Sequence, residues 1–502
     1  MIQTRSQKYA DYFVPVLLMV MIFLLAARMP LDTDLWWHLA AGQQTMQSGT
    51  PMIRDVFSFT RYGGLWINHS WLSQVILYGL YQWGGWLALG GWVALLATVS
   101  MGFVYAQMRG PAIFRAFLII LATTVAAVVW SPRPQLVSLV LFSLLGWVLF
   151  RYKYQKKDQL WLLPVTFLFW SNLHGGWALG FMLIGLVLVG EALNHGLGNQ
   201  SPEVLAWRAI GRLAVWAAIS IPVLVINPNG LEILKIPFQT VGVQVLQQLI
   251  QEWASPDFHE LFQQPYLWLL LALMVSFALS GRRVDASDLL VVVWFGALGL
   301  IARRNFGPFA LAAAPVLSRY LWAAFRSYRD PAWAEPGGWG AGPEKPLVHR
   351  RRPHWQKVIN LILVGIFSLA AIGKLWVVTY PDLVNANSAL DNPVGAVKYL
   401  IQEDASGQIF NEYNWGGYIL WSDPKLKVFV DGRTDLYGDT IIGEWMQITQ
   451  AADNWAEKLD QWKVDWVLVD LNRPLVSALP ESKWERVYID DHSVLFHRLS
   501  SP

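Results

Sequence analysis

Long apolar blocks, broken by short charged segments, dominate the first three-quarters of the chain. Blocks approaching about 20 residues read as membrane-spanning helices. They predict spans near Tyr12–Ala27, Gly84–Ala106, Ile113–Trp130, Gln135–Phe150, Leu160–Trp170, Trp177–Leu193, Leu213–Ile226, Tyr266–Ser280, Leu289–Ala302, Phe306–Ala324 and Val358–Val378. About eleven crossings follow, with the two chain ends on opposite faces. The apolar stretch Trp71–Trp83 predicts a further helix lying along the membrane surface. From about Asp391 the pattern changes to short strand-like runs alternating with amphipathic helices. Strands are predicted at Gln408–Tyr413, Lys427–Val430 and Asp465–Val469, and a closing hairpin pairs Arg486–Ile489 with Val494–His497. Alternation of this kind suggests a Rossmann-like α/β unit. The expected division is a transmembrane domain over 1–380, with a first loop at about 28–83, and a soluble α/β domain over 381–502.

Basic residues orient these elements. Arg5 and Lys8 precede span one; Arg151 to Lys157, Arg282-Arg283 and Arg350-Arg351-Arg352 mark alternate loops. By the positive-inside rule those loops and the N-terminus are cytoplasmic, and the first loop and the α/β domain lie outside. The basic lead and short apolar run of span one also fit a signal peptide, but no small-x-small cleavage site follows, so the span is expected to be retained. The expected location is a bacterial plasma (inner) membrane.

Composition agrees: 55% of residues are hydrophobic, 15% are charged, and the mean hydropathy is +0.35. An ordinary soluble enzyme is excluded. The absence of cysteine removes disulfides, thiolate metal sites and cysteine nucleophiles. No phosphate-cradling loop, dinucleotide glycine fingerprint or zinc-spaced histidine pair occurs, and nothing points to nucleic acid.

With this topology the unusual polar residues collect on the outer side. The stretch Asp32-Thr33-Asp34-Leu35-Trp36-Trp37-His38 follows span one and reads as a helix start. Asp34 and His38, four apart, share a helix face. One reading is a helix cap and an interfacial tryptophan anchor; the other is a catalytic carboxylate, with Asp32 as helper. Arg303-Arg304 sits in an outer hairpin that is otherwise apolar, where positive charge is disfavoured. The pair either snorkels to headgroups or binds phosphate. Arg133, between Pro132 and Pro134, is a weaker candidate of the same kind. His174 beside Gly175-Gly176 is a ligand or simply a hairpin apex, Glu252 a helper or a solvated acid. Trp37 could stack on a sugar face. Asp431, Arg433 and Asp435 follow a strand, where α/β ligands often bind, though a charged turn is the readier explanation.

The Asp34-Leu35-Trp36-Trp37-His38-Leu39-Ala40-Ala41-Gly42 motif, the multi-span body and the outward C-terminal domain together resemble the GT-C superfamily of membrane glycosyltransferases. That superfamily includes the protein O-mannosyltransferases and the lipid A aminoarabinose transferase. Many better-known members have Asp-Glu at the motif, whereas leucine follows Asp34 here. The resemblance implies transfer of a sugar from a polyprenyl-phosphate donor to a lipid, glycan or protein acceptor. It also implies Asp34 as base, Asp32 as helper or metal ligand, and Arg303 or Arg304 on the phosphate. A divalent cation on Asp32 and Asp34 is a possible cofactor. The competing class is a transporter or flippase for a lipid-linked or anionic substrate.

Overall fold

The computed structural model describes residues 5–242, 251–329 and 354–499. The basic stretch Arg350-Arg351-Arg352, expected on the cytoplasmic side, lies outside the described residues. Each of the predicted apolar segments is helical: α1 (Arg5–Ala26), α3 (Trp71–Gln107), α4 (Ala112–Ala126), α5 (Gln135–Gln155), α6 (Leu162–Leu173), α7 (Trp177–Gly196), α8 (Trp207–Val223), α10 (Gln264–Leu279), α11 (Ala286–Ile301), α12 (Phe306–Arg329) and α13 (His354–Val378). Between them stand α2 (Leu35–Ser48) and α9 (Ile236–Gly242). Among the described residues, five helices are long and apolar enough to cross a membrane, and four shorter apolar ones accompany them.

The segment predicted as a separate surface helix is the first half of α3. Non-helical backbone at Gly84 and Gly85 divides α3 there, and Gly85 has φ +54°, which favours glycine. The bundle core is aromatic, with Trp170, Phe167, Tyr266, Phe306 and Phe309 fully buried. At one end of the bundle, Lys153 joins Glu191 (2.5 Å) and Asp285 (2.7 Å), and Arg319 pairs with Asp288. These buried charges tie α5, α7, α11 and α12 together and are partnered, as buried charges must be.

The opposite end carries the α/β unit. It begins with α14 (Pro381–Asp391) and α15 (Val394–Gln402), and contains β1 (Gln408–Asn411), α16 (Gly416–Ser422), β2 (Lys427–Val428), α17 (Thr434–Thr449), α18 (Trp455–Gln461), β3 (Val464–Asp470), α19 (Pro474–Ala478), β4 (Trp484–Ile489) and β5 (Ser493–Arg498). The sheet order is β2-β1-β3-β5-β4. β1 runs parallel to β2 and β3, whereas β5 is antiparallel to β3 and β4. The expected βα alternation holds for three strands, and the terminal hairpin makes the sheet mixed.

β2 is shorter than predicted, and the first loop joins its edge. The Phe59 amide donates to the Val428 carbonyl (3.1 Å) and the Val428 amide to the Phe57 carbonyl (3.4 Å). Trp37, Met52, Phe57 and Trp66 of the first loop and α2 share one apolar core with Phe410, Phe429, Tyr437 and Val467 of the sheet unit. Burial of these aromatic rings, at about 25 cal/mol per Å², holds the loop and sheet together.

Candidate active site

Asp34 occupies the N-cap position of α2, but its side chain makes no capping bond. Asp32 does the local work instead, its Oδ1 accepting from the Asp34 amide (2.9 Å). The Asp34 carboxylate is thereby free to turn away from its helix. Its Oδ1 accepts from Trp37 Nε1 (3.0 Å) and its Oδ2 from Arg133 Nη1 (2.8 Å).

Arg133 is delivered by the Ser131-Pro132-Arg133-Pro134 turn. Its amide bonds the Ser131 carbonyl (2.8 Å), and its Nε bonds the Ser131 hydroxyl (3.0 Å). The guanidinium then meets three carboxylates: Asp32 at 3.2 Å, Asp34 at 2.8 Å and Glu252 at 2.6 Å. Glu252 comes from the short 3₁₀ turn Gln251–Trp253. The next 3₁₀ turn, Arg303–Asn305, is pinned against the same region by the Arg303 amide, which donates to the Ala254 carbonyl (3.2 Å). It places Arg304 over the Trp253 ring at 4.1 Å and only loosely against Glu252, at 3.9 Å. Arg303 acts on Glu252 electrostatically.

Burial pushes the Asp34 carboxyl up to about 6, against the pull of Arg133 and the Trp37 bond. Burial would raise Glu252 too, yet Arg133 and Arg304 outweigh it and hold that carboxylate below its ordinary range. Burial, with Arg133 nearby, opposes the charge on Arg304, which Glu252 and Asp34 only partly restore. The result is one carboxylate poised near neutrality, one firmly ionised, and a desolvated arginine with a weak partner.

A layer of histidines borders this centre. His174 lies at the end of α6, where its Nδ1 takes the Gly176 amide (3.1 Å) and the Ser138 hydroxyl (2.7 Å). That leaves the proton of the neutral ring on Nε2. The His69 ring centroid is 5.6 Å away. Gly175 has a steric reason beyond the turn: a Cβ there would stand 2.9 Å from His69 Cδ2. His38 does not reach the Asp34 carboxylate. Its ring lies against Trp37 at a 36° tilt (centroids 3.6 Å apart) and faces Gln74, whose Nε2 lies 3.5 Å from His38 Nδ1. Burial, with Arg133 or Arg304 nearby, lowers all three imidazoles and keeps them neutral near pH 7.

The α/β unit covers the same centre. A Cβ on Gly432 would lie 2.1 Å from Asp34 Oδ1 and 2.7 Å from Trp37 Nε1, so this glycine rests directly on the carboxylate. Asp435 accepts from Trp66 Nε1 (3.2 Å), and Tyr413 bonds Thr434 Oγ1 (2.9 Å). Asp431 and Arg433 are spent on each other and on Asp55 of the first loop, all three fully buried. The strand-end charges singled out from the sequence are therefore split between a clamp and the rim of the site.

Asp32, Asp34, Arg133, Glu252 and Arg304 come together as one chain of contacts. His174 and Arg303 stand beside it, and His38 lies beneath it. Trp37 is buried and orients Asp34 through its ring N–H. Sequence reasoning missed Gly432, Tyr413, Gln74 and Ser138; only the Asp431-Gly432-Arg433 turn carried a signal, and it read as local. No group of three or more His, Asp or Glu side chains arranged to hold a metal occurs among the described residues.

The sequence matches no protein-family model and no curated protein. Solved structures do resemble it. The apo oligosaccharyltransferase of Archaeoglobus fulgidus superimposes over 93% of this chain and 70% of its own, with TM-score 0.57 at 12% identity. The same organism's AglB, in complex with an inhibitory peptide and a dolichol-phosphate, covers the same shares with TM-score 0.58 at 11% identity. ArnT from Cupriavidus metallidurans, bound to undecaprenyl phosphate, matches 99% of each chain with TM-score 0.50 at 13% identity. These alignments take in 93–99% of the chain, so the likeness is one of fold over nearly its whole length, and the chain, with its long apolar helices, is a membrane protein that shares the fold of these structures.

Proposed function

We propose that the protein transfers a sugar from a polyprenyl-phosphate-linked donor to an acceptor at the outer face of the membrane. The observation that carries this reading is the pairing of Asp34, poised near neutrality, with the loosely partnered Arg304, linked through Arg133 and Glu252. Two of the similar structures hold polyprenyl phosphates, which supports a donor of that class.

In the proposed reaction an acceptor hydroxyl or amine attacks the anomeric carbon while Asp34 takes its proton. The anomeric C–O bond breaks and its electron pair passes to the departing phosphate oxygen. Arg304, with Arg303 adjacent, stabilises that charge in a desolvated setting. Asp435 and neutral His174 lie beside this centre. A lipid flippase would need charge along its path through the bundle. Lys153, Glu191, Asp285, Asp288 and Arg319, buried within the bundle, are instead paired with one another at its far end.

The test uses detergent-purified protein, a lipid-linked sugar pool and native membranes as the acceptor source. Asp34→Asn should lower turnover about 10²–10⁴-fold with donor binding kept. Arg304→Gln should weaken donor binding about tenfold to a hundredfold, and Arg304→Lys should restore part of it. Full turnover in Asp34→Asn, or unchanged donor affinity in Arg304→Gln, refutes the corresponding role.

A further inference from the structure

The carboxylates around Arg133 raise the question of a cation. Asp32, Asp34 and Glu252 offer hard oxygen donors of the kind that hold Mg²⁺ or Mn²⁺, ions that sit about 2.0–2.6 Å from such oxygens. The space among them is already filled by positive charge. Each nitrogen of one guanidinium faces a different acid: Nε faces Asp32 (3.2 Å), Nη1 faces Asp34 (2.8 Å) and Nη2 faces Glu252 (2.6 Å). A divalent ion bound to those same oxygens would have to compete with the guanidinium for them at close range.

Arg133 has little freedom to swing aside. Its Nε also bonds the Ser131 hydroxyl (3.0 Å), its amide bonds the Ser131 carbonyl (2.8 Å), and Pro134 follows it into α5. The side chain is 18% exposed, so its charge is also largely desolvated. Arg304, at 3.9 Å from Glu252, is much less tightly engaged. The acids and Arg133 form a closed set, whereas Arg304 keeps capacity for a further anion.

We propose that Arg133 is the resident cation of this site, standing where a divalent ion would stand and positioning Asp34, so that the site takes no divalent metal. A planar, permanently charged fork suits this task because it fixes three carboxylate directions at once. Arg133 is then a positioning residue. It acts through Asp34 and Glu252, and leaves the donor phosphate to Arg304. The positioning role rests on the proposed transfer reaction; the metal exclusion does not.

The experiment titrates Mn²⁺ into the chelator-treated, detergent-purified full chain and follows free Mn²⁺ by electron paramagnetic resonance. Wild type should show no saturable site below about 1 mM, the weak end of protein-bound divalent sites. Arg133→Gln uncovers three carboxylates and should gain such a site, with a metal-dependent rise in Tm that wild type lacks. Arg133→Lys keeps the charge and should gain neither. In transfer assays Arg133→Gln should lose about 10²-fold in rate from misplacement of Asp34, and Arg133→Lys should recover part of it. A stoichiometric Mn²⁺ site in wild type that Asp34→Asn removes overturns the proposal, and needs no Arg133 variant to fold. That outcome leaves glycosyl transfer standing, whereas absence of any transfer leaves the metal titration unaffected.

Discussion

Gly432 tests how closely the α/β unit sets the geometry of Asp34. Adding one methyl group, Gly432→Ala, places a Cβ 2.1 Å from Asp34 Oδ1 and 2.7 Å from Trp37 Nε1. Ordinary contact lies near 3.5 Å, so the carboxylate or the covering turn must retreat by roughly 1 Å. A displacement of that size at a reacting group costs about 10²-fold in rate, equivalent to about 2.7 kcal/mol of barrier. An independent route gives the same scale. The methyl group wedges between Asp34 and Trp37, and a hydrogen bond to a charged group is worth about 1.5–3 kcal/mol. The assay is the initial rate of transfer from a lipid-linked sugar pool, measured beside thermal unfolding. Gly443→Ala is the control: it lies in α17, and a Cβ there meets nothing within 4 Å. It should leave rate and Tm unchanged or slightly raise Tm. A Gly432→Ala protein with full rate and unchanged Tm would refute the close approach and the role assigned to the covering turn.

The pH dependence follows from the same carboxylate. A general base must be ionised, burial holds Asp34 up at about 6, and the rate should therefore rise with pH through that value. A pH–rate profile flat from about 5 to 8 would sink Asp34 as the base. The proposed orientation is checked by single cysteines placed in this cysteine-free chain. With an impermeant reagent on intact cells, exposed Tyr62→Cys should label and Leu197→Cys, at the opposite end of the bundle, should label only after permeabilisation; the reverse pattern inverts the topology.

The apolar segments, the turn to an α/β pattern near Asp391 and the motif around Asp34 were legible because each is local. Helical runs and strand alternation are written within a few residues of themselves. What could not be read is what distant segments do to one another. The Asp34–His38 pairing follows from helix spacing, yet burial turns His38 towards Gln74, and Asp34 finds Trp37 and Arg133 instead. From sequence, Arg133 is only a weak phosphate candidate in a loop stiffened by Pro132 and Pro134, and nothing local announces its carboxylate partners. Its three acids arrive from the Asp32–Asp34 segment and from Glu252, more than a hundred residues away in the latter case. The first loop's docking on β2 had no sequence signal, since a backbone edge carries no residue preference strong enough to announce its partner.

That docking is held by a buried charge cluster, and its strength bears on the site. Arg433 donates through Nε and Nη2 to Asp431 (2.8 and 2.7 Å) and through Nη1 to Asp55 (2.7 Å). Asp55 further accepts from the Ser58 amide and hydroxyl, and Tyr437 donates to Asp431 (2.8 Å). Because Gly432 lies between the two clamped residues, whatever moves Arg433 also moves the contact on Asp34. Arg433→Met leaves two buried carboxylates without their cation, a loss of about 3–5 kcal/mol. Asp55→Asn is milder, because Arg433 keeps its two bonds to Asp431; it should cost about 1–3 kcal/mol. Burial would raise the Asp55 carboxyl, but Arg433 and Ser58 outweigh it and hold it below the ordinary range. Its contribution is therefore fully present above about pH 4 and is lost as pH falls through the lowered value. Asp55→Asn should remove that acid-side dependence along with part of the rate. Thermal unfolding followed by tryptophan fluorescence, at neutral and acid pH, measures both variants against wild type. If Arg433→Met unfolds at the wild-type temperature and transfers at the wild-type rate, the clamp neither holds the loop to the sheet nor positions Gly432 over Asp34.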